Sequence, residues 1–80
     1  MTAVTISAEI CQFIQNNLVA EGIVIEGHTS LPKIGLDSFS TIEIVLFIER
    51  KFEVGLPDEA LVPENIASPN AFAECVVTYL

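Results

Sequence analysis

Apolar residues recur at helical spacing in three stretches of the chain. Ile10, Phe13, Ile14, Leu18 and Val19 make one stripe, with Gln15, Asn16 and Asn17 left for water, which predicts a first helix over about 7–20. Ser7 is a candidate N-cap, Ile6 and Cys11 are placed as a hydrophobic staple, and Gly22 is a plausible stop. The second stretch, about 38–52, is apolar almost all round: Phe39, Ile42, Val45, Leu46 and Phe52 form one stripe, with Ile44, Phe47 and Ile48 beside it. Such a helix sits centrally and touches several neighbours. The third, about 69–79, carries Phe72, Cys75, Val76 and Tyr79, and Ser68-Pro69 reads as an N-cap followed by proline at the first helical position.

Between these stretches the pattern weakens. Residues 21–37 form a long connection in which Ile23-Val24-Ile25 has no second strand to pair with. It is therefore read as an extended loop lying on the helices, with Leu31 plugging the core. Gly55 and Pro57 end the second helix, and a short third helix is expected at about 58–67, with Pro63 opening its later part. The fold class is thus all-α: a four-helix bundle with three longer helices and one short one. A chain of 80 residues is expected to form one domain, small but supplied with 51% hydrophobic residues.

The head of the second helix holds the candidate chemistry. Asp37 is a preferred N-cap, although Ser40 and Glu43 also fit a capping box, so two starts are open. With Asp37 as cap, Ser38 occupies the first helical position. Its hydroxyl then lies beside unpaired amides at the positive end of the helix dipole, where an esterified phosphate is stabilised. Phe39, Ile42 and Leu46 are expected to stay partly exposed near Ser38. Rimmed by acids such as Glu43 and Glu49, they would form a partner surface; the alternative is plain core.

Gly35-Leu36-Asp37-Ser38-Phe39 resembles the attachment motif of the acyl carrier proteins, in its familiar form Gly-x-Asp-Ser-Leu. The similarity continues through Thr41-Ile42-Glu43-Ile44-Val45, Ile48-Glu49, Phe52 and Leu56-Pro57-Asp58-Glu59, covering the second half of the chain well and the first half by pattern only. The resemblance implies an acyl-carrier-type bundle in which Ser38 bears covalent 4′-phosphopantetheine and Asp37 caps the helix and helps present Ser38 to a phosphopantetheinyl transferase. The chain would then be a carrier and not an enzyme, its cargo held as a thioester on the swinging thiol. Further partners would be an acyl- or aminoacyl-loading ligase or transferase, and a ketosynthase or other tailoring enzymes. Arg50 and Lys51 break the acidic face usual in carriers of bulk fatty-acid synthesis, Lys33 precedes the motif, and the Gly-Gly-x-Ser form of peptide-synthetase modules is absent. The reading is therefore a free-standing carrier of a fatty-acid or polyketide-type specialised pathway, with an aminoacyl or peptidyl carrier as the alternative. Phe47, Ile48 and Leu61 are candidates to line a cargo cleft, and serve equally as packing.

Charge and cysteine content narrow the other classes. A net charge of −8 repels nucleic acid and anionic membrane surfaces and favours basic protein surfaces. The longest apolar run, Ile44 to Ile48, is far too short to span a bilayer, and no basic region precedes an apolar core at the N-terminus, so a cytoplasmic monomer is expected. Cys11 and Cys75 read as small buried hydrophobes, and His28 alone makes no metal set. A hydrolase built on Ser38, His28 and an acid is the enzymatic alternative, but no Gly-x-Ser-x-Gly elbow is present.

Overall fold

A computed structural model describes residues 2–80, which fold into three α-helices with no strand among them: α1 (Ala3–Asn17), α2 (Ser38–Phe52) and α3 (Pro69–Tyr79). Single 3₁₀ turns punctuate the connections at Pro32–Ile34, Asp58–Ala60 and Pro63–Asn65. The architecture is all-α, with three helices where four were expected. Pro63 is the reason. It lacks an amide proton and forces Val62 into extended backbone (φ −89°, ψ 158°), so no helix runs through 58–67. Two 3₁₀ turns take its place, tied together by the Asn65 side-chain amide donating to the Ala60 carbonyl at 2.8 Å.

The first helix begins and ends earlier than the pattern suggested. Thr2, not Ser7, is its cap, the threonine hydroxyl accepting the Thr5 amide at 3.3 Å. Starting there puts Ile6 one turn above Ile10 and Ile14, and all three are fully buried. Burying a side chain of that size stabilises the fold by roughly 1.5–3 kcal/mol, more than the choice of cap contributes. Ser7 instead faces α3 from inside the protein, its hydroxyl donating to Asn70 Oδ1 at 2.7 Å. At the other end the Asn17 side chain folds back onto the Phe13 carbonyl, and Leu18 closes the helix well short of Gly22. The left-handed residue ending α2 is likewise Glu53 (φ 53°), not Gly55.

The core lies between α1, α2 and α3, with α1 packed chiefly on α3. Ile6, Ile10 and Ile14 meet Ile44, Ile48 and Phe52 of α2 and Phe72, Ala73 and Val76 of α3. The long connection is fastened to this core at three points. Ile25 is buried and its amide donates to Gln15 Oε1 at 2.9 Å. The Gly27 carbonyl accepts the Asn70 amide at 2.9 Å, and the Leu31 amide donates to the Ala67 carbonyl at 2.9 Å, with the Leu31 side chain buried. Ile23 and Val24 stay exposed. The third attachment positions everything that follows, because Leu31 lies only six residues before Asp37.

Candidate functional site

From the Leu31 anchor the chain makes one tight turn. The amides of Ile34 and Leu36 both donate to the Leu31 carbonyl, and the Gly35 amide donates to Pro32. Gly35 has φ 89°, a left-handed conformation that glycine adopts without the steric cost a side chain brings. This turn delivers Asp37 in extended backbone as the N-cap of α2: its Oδ1 accepts the Ser40 amide at 3.0 Å, and the Thr41 hydroxyl donates to its carbonyl at 3.1 Å. Of the two possible starts, the Asp37 start is therefore the one formed. Accepting the Ser40 amide holds the Asp37 carboxyl below the usual carboxylate range.

Ser38 is the first residue of α2 and is exposed. Its hydroxyl joins no hydrogen bond among the described residues, whereas those of Ser7, Thr41, Ser68 and Thr78 are all engaged. Beside it, the Ser38 and Phe39 amides precede the first intrahelical bond, so their N–H groups have no partner within α2. An outward hydroxyl, unpaired amides and the dipole's positive end suit a phosphodiester on Ser38 without any basic side chain. The hydrolase arrangement is not assembled: the His28 imidazole lies 3.4 Å from Glu26, both exposed, and makes no bond with Ser38.

Below Ser38, α2 presents two different faces. Phe39, Ile42 and Leu46 are 72%, 58% and 44% exposed, whereas Ile44 and Ile48, each two residues from Leu46, are buried. Glu43 stands half-buried at the edge of the exposed face. Glu49 turns toward the segment after α2, its Oε2 accepting the Leu56 amide at 3.0 Å. Two grooves flank this exposed face. One, about 490 Å³, lies toward α1 over the stacked Phe13 and Phe47 rings (centroids 4.3 Å apart) with Arg50 and Lys51 at its rim; Lys51 is paired with Glu9 at 3.2 Å. The other, about 250 Å³, opens between α2 and the segment 56–61.

The three cleft candidates are separated. Leu61 lines the smaller groove, Phe47 the larger one, and Ile48 is wholly core. Val45, Leu56 and Asp58 complete the smaller groove. Sequence reasoning missed them because Leu56 and Asp58 enter it only through the turn after α2. Both cysteines are free thiols; burial pushes each one's pKa up, keeping them protonated and poorly nucleophilic at neutral pH.

Comparisons with known proteins agree with this geometry. The chain is 27% identical over 81 residues to aminoacyl carrier protein 2 of Bradyrhizobium diazoefficiens, covering 99% of this chain and 91% of the relative. Its fold matches a chain of the crystal structure of Bradyrhizobium japonicum glycine:carrier protein ligase complexed with glycylated carrier protein. The TM-score is 0.67 at 24% identity, over 92% of this chain and 96% of that one. A chain in the same ligase's complex with its cognate carrier protein and a glycyl adenylate analogue gives a TM-score of 0.68 at 25% identity, over 95% of both chains. The family model for the phosphopantetheine attachment site matches residues 8–76, most of the length and all of α2. The chain therefore belongs to the acyl carrier protein family, non-catalytic domains whose cofactor is covalently attached 4′-phosphopantetheine.

Proposed function

We propose that this protein is an aminoacyl carrier. Ser38 bears the phosphopantetheine, and an amino acid:carrier protein ligase loads the arm with an amino acid as a thioester. The observation that carries the attachment is the exposed, uncommitted Ser38 hydroxyl on the first turn of an Asp37-capped helix. The similarity to an aminoacyl carrier protein, and to the fold of carrier chains crystallised with a glycine ligase, supports amino acids as cargo over the fatty-acid or polyketide-type cargo expected from the sequence.

The chain's own residues do little chemistry. Asp37 fixes the start of α2 and so aims Ser38 outward, where a phosphopantetheinyl transferase supplies the base that takes its proton. When bound, the group supplies the thiol that holds the cargo. Phe39, Ile42, Glu43 and Leu46 give the loading ligase an apolar surface with an acidic edge beside the attachment point. Docking there makes each reaction of the cargo intramolecular, at high effective concentration.

The test is competitive loading followed by intact mass. Phosphopantetheinylated protein is offered glycine or alanine with ATP and an amino acid:carrier protein ligase, or malonyl-coenzyme A with an acyltransferase. An aminoacyl mass gain supports the proposal. Charging by the acyltransferase alone would return the protein to the acyl class.

A further inference from the structure

The larger groove, between α1 and α2, sets a cation without a partner beside an apolar floor. That floor is the Phe13–Phe47 stack, its ring planes 14° apart. Phe47 meets the buried Phe52 edge-on at 6.4 Å, so the floor is fixed to the core, yet neither Phe13 nor Phe47 is fully covered. Leu46 extends the floor onto the exposed face of α2, and Glu43 and Arg50 stand two turns apart along it. Lys51 is taken up by Glu9 at 3.2 Å. Arg50 is exposed, and no carboxylate among the described residues lies within 4 Å of its guanidinium; the ion pairs formed are Lys51–Glu9 and His28–Glu26. The helix dipole accounts for a base in the last turn of α2, but not for an apolar hollow of about 490 Å³ beside it.

We infer that this groove takes a segment of the loading ligase that carries an apolar side chain with a carboxylate next to it. The apolar group rests on the Phe13–Phe47 stack, and the carboxylate pairs with Arg50. The inference rests on the aminoacyl-carrier reading. Its first support is charge: a guanidinium offers a carboxylate two parallel N–H bonds, and this one has no acid of its own. The second is preorganisation, since a floor already stacked needs little ordering to receive a side chain. The third is continuity. Glu43 and Leu46 border both the groove and the exposed face beneath Ser38, so one partner covers the two together. The groove also has a direction. Glu43, nearer Ser38, is negative, and Arg50, seven residues on, is positive at roughly 10 Å along the axis. A partner with a base opposite Glu43 and an acid opposite Arg50 fits one way round; reversed, like charges meet. Net charge alone argues the other way. In a chain of −8 that attracts basic surfaces, a base at position 50 only weakens the attraction.

The two readings differ in sign, and that makes the test. The full chain and its Arg50→Gln, Arg50→Lys and Arg50→Glu variants are phosphopantetheinylated, checked by intact mass, and loaded by an amino acid:carrier protein ligase with glycine or alanine and ATP. Arg50→Gln should raise KM for the carrier about two- to fivefold, the range of an exposed ion pair. Arg50→Glu should raise it about tenfold by adding repulsion, with kcat at saturating carrier unchanged in both. Arg50→Lys, which keeps the charge but not the fork, should recover part of the loss. A lost dipole contribution would show in the unfolding midpoint and leave KM alone. When ligase is added to the wild type, NMR signals of the Phe13 ring, which lies on α1 and off the exposed face of α2, should move with the Arg50 Nε–H. A KM unchanged or lowered by Arg50→Glu, or Phe13 signals that stay in place, would overturn the groove assignment while loading left the aminoacyl reading standing. Phe13 signals that move with the concentration of the chain alone would give the groove to a second copy and overturn it too. A wild-type chain that takes the arm but no amino acid would remove both.

Discussion

The two faces of α2 carry the same kinds of side chain to opposite ends. Ile44, Ile48 and Phe52 sit in the core, whereas Phe39, Ile42 and Leu46, on the same helix, stand in solvent beneath Ser38. Hydrophobicity alone does not separate them. Position around the helix does, because α1 and α3 pack on one side while the other faces solvent. The inner face sets stability, and the outer face is kept apolar at some cost in solubility. The acidic composition offsets that cost, at a net charge of −8. The comparison teaches that an apolar run in a small domain is not one feature but two, separable by what each substitution changes.

Substitutions should split accordingly. Ile48→Ala leaves a cavity in the centre of the core and should lower stability by about 2–5 kcal/mol in urea or thermal unfolding, with the folded fraction still modified at Ser38. Phe39→Ala with Ile42→Ala should move unfolding little, by about 0.5 kcal/mol per exposed site, yet reduce kcat/KM for ligase loading about tenfold. If the outer pair proved as destabilising as Ile48→Ala, the two faces would be one core and the comparison would fail.

Smaller effects should come from the loop that aims α2. A methyl group on Gly27 would collide with the Asn70 side chain that accepts the Ser7 hydroxyl. Gly27→Ala should therefore cost about 1 kcal/mol, the worth of one such hydrogen bond, read from urea midpoints, and leave the outer face unchanged.

The smallest effect is electrostatic. The folded state holds the Asp37 carboxyl below its ordinary value by donating the Ser40 amide to it. The contribution to stability is complete above the unfolded-state value and is lost as pH falls through the depressed folded-state value. Thermal melts across the acidic range should show this loss in the wild type. Asp37→Asn, which keeps a capping oxygen but does not titrate there, should lack that one increment.

The start of α2 was legible in the sequence because its signals are local. Asp37 offers a capping oxygen three residues before Ser40, and Gly35 permits the turn that presents it. The outward set Phe39, Ile42 and Leu46 was legible as an excess of apolar residues that cannot all point inward. The limits of α1 were not, because Thr2 and Ser7 are comparable caps on paper. Only the fit of Ile6 into the core and of Ser7 against Asn70 selects between them. The segment 58–67 misled for the opposite reason. Pro63 has the signature of a helix opener, yet it also holds Val62 just before it in extended backbone. The smaller groove was the least legible, since Leu56 and Asp58 reach it only through the turn after α2.

The central claim is that the Ser38 hydroxyl is the attachment point, and localised mass spectrometry tests it most directly. Protein incubated with coenzyme A and a phosphopantetheinyl transferase is digested, and the peptide spanning Leu36–Arg50 is fragmented. The account predicts one phosphopantetheinyl unit on Ser38, and none in a Ser38→Ala variant that unfolds at the wild-type temperature. A unit found on Ser40 or Thr41, or retained in Ser38→Ala, would contradict it.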